Sequence, residues 1–247
     1  MRVLVVDIWG SFAHFRVFYT NASSLSYSFP PRTTISGILA GILGRDRDSY
    51  YEDFSVENIR LSIKGLRRIK KQIFVVNYCR TKEGDIPTIS MGNPSMVEFK
   101  NYPVHLELLL PQGDDFLGYR VYIGEGKNGD LYGELKRVLE SGEMKYSLSL
   151  GLSEFLGWYE YKGECEATER ETDEIHSVIP AEWFDKLERG FGDVYMEEIP
   201  LELSYNDGIR ILKRKGRFLY KNDGKPFKFV ERVKAYDVNG EFVIWME

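Results

Sequence analysis

The stretch SFPPRTTISGILAGILG, residues 28–44, restricts the fold of this chain more than any other. Pro30 and Pro31 fix their own φ and push the residues before them to extended geometry, so the chain enters the next element as a rigid segment. A helix is expected from about Thr33 to Leu43, because Ile35, Ile38, Leu39 and Ile42 have the i, i+3, i+4, i+7 spacing of one apolar stripe. Thr33 or Thr34 can cap its first turn through a hydroxyl. The opposite flank carries Ser36, Gly37, Ala40, Gly41 and Gly44. An interior glycine costs a helix roughly 1 kcal/mol relative to alanine, so close approach of another group is expected to offset it. Two approaches stay open. The helix packs tightly on its own sheet or a loop, or its start holds a ligand phosphate with free N–H groups and dipole. In the second case Arg32, Thr33, Thr34 and Ser36 add a guanidinium and three hydroxyls. The glycine-lysine-serine/threonine ending of a P-loop is missing, which leaves nucleotide hydrolysis without support.

Around this helix the patterning alternates. MRVLVVDIWG reads as a first strand rather than a signal peptide. Asn58–Arg80 is β-rich with a bulge or turn at Gly65, residues 81–103 are dominated by turn formers and suit an extended hairpin or flap, and VHLELLL (104–110) returns as a strand. Residues 130–140 have a helical apolar face, and 145–161 read as short strands around Gly151 and Gly157. The span 162–190 holds a short helix candidate, AEWFDKLERG. Asn206-Asp207-Gly208, Asn222-Asp223-Gly224 and Val238-Asn239-Gly240 supply the positive-φ residues of hairpin turns. The order of elements predicts an α+β protein with a strand-helix-strand-strand-helix-strand core of ferredoxin-like type over residues 1–153 and a β-rich extension over 154–247.

Composition narrows the function classes. The net charge of −5 argues against a non-specific nucleic-acid binder, but it is unevenly spread: +2 over residues 1–153, −11 over 154–206 and +4 over 207–247. The acidic middle is expected to be a solvated loop and helix region, with a face for a basic partner protein as the alternative. Cys79 and Cys165 stand far apart, so neither a disulfide framework nor a zinc site is expected, and a reducing cytoplasm fits. No apolar run has the length of a membrane span.

FPPRTTISGILAGILG, preceded by DIWGSFAHFRVFYT, resembles the N-terminal signature of the CRISPR-associated Cas-five family, RAMP-superfamily subunits of type I Cascade surveillance complexes. SLSLGLSEFLG (147–157) is a weaker echo of that family's Leu-Gly stretch. The resemblance implies an RRM-like RAMP domain, a projecting β-hairpin thumb at about 79–105, and a smaller β-rich C-terminal part. It implies a subunit that holds the crRNA 5′ handle, touches the backbone subunit, docks the large subunit that reads the PAM, and so meets the PAM-proximal end of target DNA only indirectly. No cofactor, metal or membrane is implied. Most such subunits do not cut RNA; in one subtype the family member is the pre-crRNA endonuclease.

RNA contact needs local cations plus hydroxyl or stacking groups. Arg16 lies within the signature. The run 60–71 has no acid, and on a strand Arg68 and Lys70 would share one face while Arg67 and Lys71 share the other. Arg80, Lys82, Met91 and Asn93 fall where a thumb would project. With Arg32, Thr33, Thr34, Ser36 and Gly37 these form the expected RNA-binding set. Lys213, Arg214, Lys215 and Arg217 read as a solvated hairpin turn. Metal-independent cleavage needs an acid and a base near a 2′-hydroxyl. Of His14, His105 and His176, none pairs in sequence with a second such group, so each is expected to be structural and no catalytic residue is expected, His14 being the first to test. The carboxylates of 164–174 lack metal-like spacing and read as a solvated acidic loop.

Overall fold

The structure is a computed structural model and describes residues 1–20, 24–79, 101–190 and 192–247. Its first part runs through β1 (Arg2–Gly10), β2 (Phe15–Arg16), β3 (Ser26–Tyr27), α1 (Arg32–Leu43), β4 (Ile59–Gly65), β5 (Ile69–Cys79), β6 (Asn101–Pro111), β7 (Leu117–Glu125), α2 (Gly129–Ser141) and β8 (Gly157–Glu166). The described residues are mostly strand. β1 is buried on both faces, as an unbroken apolar run requires of a central strand. It pairs antiparallel with β7 on one side and β8 on the other, and β4 pairs with the far side of β7. Through these four strands the chain runs strand, helix, strand, strand, helix, strand, and their spatial order is second, third, first, fourth. Both helices cover one face of the sheet. There Ile35, Leu39, Ile42, Leu131, Leu135 and Val138 join Leu4, Val6 and Ile8 in the main core.

The helix ends differ in chemistry. α1 begins at Pro31 without any side-chain cap, correcting the expected threonine cap; Thr34 and Ile35 N–H donate to the Pro31 carbonyl at 2.9 and 3.0 Å. Its C-terminus closes on Gly44 at φ 76°, where Gly44 and Arg45 N–H return to Gly41 and Ala40 carbonyls, a left-handed cap that only glycine takes without strain. α2 is capped by Asn128, whose Oδ1 accepts from Leu131 N–H at 3.0 Å.

Inserted between β4 and β7, β5 and β6 form a two-stranded ribbon in register from Ile69↔Pro111 to Cys79↔Asn101. The expected thumb over about 79–105 lies for the most part outside the described residues.

The second part contains β9 (Thr168–Ile175), β10 (Ile179–Pro180), β11 (Val194–Asn206), β12 (Ile209–Lys221), β13 (Phe227–Val238) and β14 (Glu241–Val243), in sheets ordered β14-β13-β9 and β10-β12-β11. Four expectations change here. The boundary at 153 falls short, because β8 pairs with β1 from Gly10↔Gly157 to Arg2↔Glu166; the first sheet therefore extends to Glu166. The acidic run Glu164–Glu174 is strand rather than loop. β13 lies beside it with opposite charge: Lys228 meets Glu174 at 3.4 Å, Lys234 meets Glu169 at 3.5 Å, and Arg170 meets Asp237 at 3.2 Å. The charge segregation of the sequence is thus partly cancelled by strand pairing. AEWFDKLERG supplies only a 3-10 turn, Ala181–Lys186. Asn222-Asp223-Gly224 makes no hairpin, since β12 and β13 belong to different sheets. Instead the buried Asn222 amide bonds both backbone groups of Ile69, at 2.9 and 3.0 Å, and ties the C-terminal part to the foot of the ribbon. The other two turns form hairpins as expected, with Asp207 and Asn239 at φ 48° and 53°.

Candidate nucleic-acid interface

The bare flank of α1 resolves residue by residue. A Cβ on Gly37 would stand 3.0 Å from the Tyr50 hydroxyl, whereas one on Gly41 would meet nothing within 4 Å. The close approach at Gly37 is therefore a side chain of this chain. Ser36 is buried and donates to the Arg32 carbonyl at 3.0 Å.

Arg32 overturns its expected role as a surface phosphate ligand. It is 1% exposed, and its guanidinium donates to the carbonyls of Phe54 (2.8 Å), Leu201 (3.1 Å) and Ile59 (2.7 Å). Burial pushes its pKa down to about 10. A single cation thus ties α1 to the following loop, to β4 and to β11.

Thr34 keeps a place at the surface. It lines a cleft of about 560 Å³ together with His14, Arg16, Ser24, Gly151 and Arg210, with Tyr78, Val104 and Leu106 of the ribbon forming another wall. Arg16 is exposed on β2. Arg210 comes from the second residue of β12. Its Nε donates to Asp48 Oδ1 at 2.6 Å, and Tyr51 donates to the same oxygen at 2.5 Å. Asp48 itself is at φ 65°, a strained conformation for a side-chain-bearing residue. Gly151, at φ 99°, forms a wall: a Cβ there would stand 1.8 Å from the His14 carbonyl oxygen. A cleft with two guanidiniums, a hydroxyl and close-packed backbone suits a sugar-phosphate chain.

His14 is 2% exposed. Its Nδ1 is 2.7 Å from the Glu107 carbonyl and must donate to it, which leaves Nε2 to accept from Ser24 at 3.3 Å. Burial lowers its pKa; the Glu107 carbonyl opposes this and Arg16 adds to it. The imidazole is held neutral between two partners. His176 Nδ1 likewise accepts from Phe242 N–H at 3.1 Å, while His105 is exposed on β6.

The basic run divides. Arg67 and Arg68 precede β5 rather than belonging to it, so the expected pairs, Arg68 with Lys70 on one face and Arg67 with Lys71 on the other, are not set by one strand. Lys71 turns inward, donating to the Ser26 carbonyl at 2.7 Å and pairing with Glu197 at 3.2 Å, and so anchors the approach to α1. Lys70 and Arg68 are exposed. Arg67 pairs with Asp114 at 3.2 Å and lies over the Trp9 ring. Thr33 is half-buried, and Arg80, Lys82, Met91 and Asn93 lie outside the described residues. Lys213, Arg214, Lys215 and Arg217 lie on β12, not on a turn; Lys213 pairs with Glu52 and Lys215 with Glu198. Among the described residues no group of three or more His, Cys, Asp or Glu side chains is placed to hold a metal ion, and no helix is long and apolar enough to cross a membrane.

A family model for CRISPR-associated protein (Cas_Cas5) matches residues 3–95. Over that stretch, somewhat over a third of the chain, the sequence is similar to the Cas5 family. No curated protein matches the chain. A crystal structure of a CRISPR protein from Archaeoglobus fulgidus is similar over 98% of this chain and 97% of its own, with a TM-score of 0.53 and 17% identity. A chain from a CRISPR RNA-guided surveillance complex is similar over 92% of this chain and 90% of its own, with a TM-score of 0.53 and 11% identity. At such identities the likeness is one of fold. The matched stretch contains His14, Arg16 and Thr34; Gly151 and Arg210 complete the cleft from outside it. Arg210 was missed in the sequence. Its only signal there was the Asn206-Asp207-Gly208 turn, which sets its register but not the surface it reaches.

Proposed function

We propose that this chain is a non-catalytic, cytoplasmic RNA-binding subunit of a type I CRISPR Cascade surveillance complex that binds and caps the crRNA 5′ handle. In this reading the four-stranded sheet and its two helices are the ferredoxin-like, RRM-like RAMP domain, and the β5–β6 ribbon is the base of the thumb. The strands after Glu166 form the smaller C-terminal part. The backbone and large subunits are its neighbours, and target DNA near the PAM-proximal end is reached only through them.

The observation that carries the reading is the cleft. It gathers Arg16, Thr34 and Arg210 beside the Gly151 wall, against the part of the ribbon away from its foot, next to the segment that matches the Cas5 family. The expected contact set becomes Arg16, Thr34 and Arg210, with Arg68 and Lys70 farther out. Arg32, Ser36 and Lys71 serve the architecture. The net charge of −5 suits a narrow RNA site on a protein whose other faces meet proteins better than it suits a freely diffusing RNA binder. Engagement of His14 at both ring nitrogens supports the non-catalytic reading over a metal-independent endoribonuclease. The test is to isolate the assembled complex, sequence its RNA, and repeat with Arg16→Glu and Arg210→Glu. Retention of a handle-bearing RNA that falls in both variants supports the reading. RNA occupancy unchanged in both, or cleavage of a repeat RNA in EDTA, contradicts it.

A further inference from the structure

The outer face of the four-stranded sheet has a second surface that the cleft does not use. The period of two along β1 puts Val3, Val5, Asp7 and Trp9 on the face away from the helices. Val238, Val243 and Trp245 pack over Val3 and Val5. Asp7 takes two bonds from Arg120, which also reaches Glu241. Beyond that point the sheet face carries exposed large side chains. Trp9 stands opposite Gly118 on β7 and Trp158 on β8. A Cβ on Gly118 would be 2.3 Å from the Trp9 ring, so the indole lies flat across β7. Trp158 leans to Phe116, with centroids 5.0 Å apart at 86°. Phe116 and Trp158 are 43% and 39% exposed, and Leu156 beside them is 62% exposed. Rings this accessible on a sheet face mark a contact surface rather than a core.

Three features favour a single-stranded nucleic acid as the occupant. The exposed groups are chiefly rings, and every base offers a π-face to a ring whatever its sequence. The rim carries two guanidiniums beside two carboxylates: Arg67 lies 5.7 Å over the Trp9 ring and pairs with Asp114, the exposed Arg68 follows it in the chain with no ion-pair partner among the described residues, and the exposed Asp115 precedes Phe116. Finally, the platform adjoins the cleft. Gly151 and Leu152 line the cleft, Leu156 and Trp158 belong to the platform, and the segment between them folds back on itself through Leu150 N–H donating to the Phe155 carbonyl at 2.8 Å and a Ser149↔Leu156 bridge. One short loop is the wall of one site and the rim of the other.

We propose that this platform is a second contact for the strand held in the cleft, with unpaired bases stacking on Trp158 and Phe116 and an adjoining phosphate meeting Arg68. The proposal rests on the RNA-binding reading above and extends it to a site outside the cleft. The test uses the full chain and a random-sequence pool of single-stranded RNA of roughly twelve nucleotides, within the range that single-strand sites span, carrying 4-thiouridine. Photocrosslinks on the wild-type protein are expected at Phe116 or Trp158. Trp158→Ala is expected to weaken binding by ~5- to 150-fold, as loss of one stacked base does, and Trp158→Phe to restore most of it. If the pool binds and Arg16→Glu weakens it, while Trp158→Ala does not and no crosslink falls on the platform, the platform is not an RNA contact and the cleft reading stands. If Trp158→Ala removes a co-purifying protein with RNA affinity unchanged, the platform is a protein interface and the proposal fails. If the pool does not bind at any salt concentration, the platform proposal fails, while the handle-binding reading is decided separately by RNA retention in the assembled complex.

Discussion

Replacing Gly151 by alanine tests the cleft wall at its tightest point. The backbone there has φ 99°, and the new Cβ would stand 1.8 Å from the His14 carbonyl oxygen and 2.7 Å from its carbon. Carbon–oxygen contacts in proteins settle near 3.3 Å, so loop and strand must separate by about 1.5 Å. The left-handed backbone costs a residue with a Cβ about 1–2 kcal/mol, and the forced displacement costs about 1–3 kcal/mol more. Separation also strains the bond from His14 N–H to the Leu150 carbonyl, 3.0 Å in the native structure, worth about 1 kcal/mol. The expected loss is about 4 kcal/mol, or a fall in Tm of roughly 10 °C for a chain of this size. Gly163 is the control: its φ is 115°, but a Cβ there meets nothing within 4 Å, so Gly163→Ala carries only the backbone part. Urea unfolding of both variants, followed by circular dichroism, separates the two contributions. Equal losses in the two would refute the claim that the 147–157 loop is held by close backbone approach, and with it the rigidity assigned to the cleft wall.

Two further predictions concern the frame. Arg32→Met leaves three buried carbonyls, those of Phe54, Ile59 and Leu201, without their donor; a loss of about 3–5 kcal/mol is expected in denaturant unfolding, and a loss under 1 kcal/mol would show the cation to be dispensable. Glu241 links the outer strands to the sheet. Burial would raise its carboxyl, but bonds from Lys64, Tyr122 and Arg120 outweigh this and bring the pKa down to about 2. Its folded value lies below the unfolded one, so its contribution is present above about pH 4.5 and disappears as pH falls toward 2. The stability gap between wild type and Glu241→Gln should therefore be about 3 kcal/mol at neutral pH and close across that window; a gap independent of pH would contradict the ion cluster.

Much of the frame was readable from local chemistry. β1 followed from an unbroken apolar run, α1 and α2 from their stripes, and two hairpins from Asn-Gly or Asp-Gly turns, because each depends on neighbours in sequence. Three of the misreadings share one cause: the partner lies far along the chain. Arg32 looked like a surface cation because Leu201, one of its acceptors, is 169 residues away. The acidic strand β9 looked like a solvated loop because the lysines that face it belong to β13. Lys71 was counted with the exposed cations although its acid, Glu197, comes from β11. In the cleft, Arg16 and Thr34 were legible within one short signature, while Arg210 reaches them only after the C-terminal hairpin has docked through Asp48.

The amount of handle-bearing RNA retained by the purified complex, compared among wild type, Arg16→Glu and Arg210→Glu, bears most directly on the cleft as the RNA site. Each guanidinium lost from a phosphate should lower retention by about ten-fold or more, with subunit composition preserved. Undiminished RNA in both variants, with the chain still assembled, would place the RNA elsewhere.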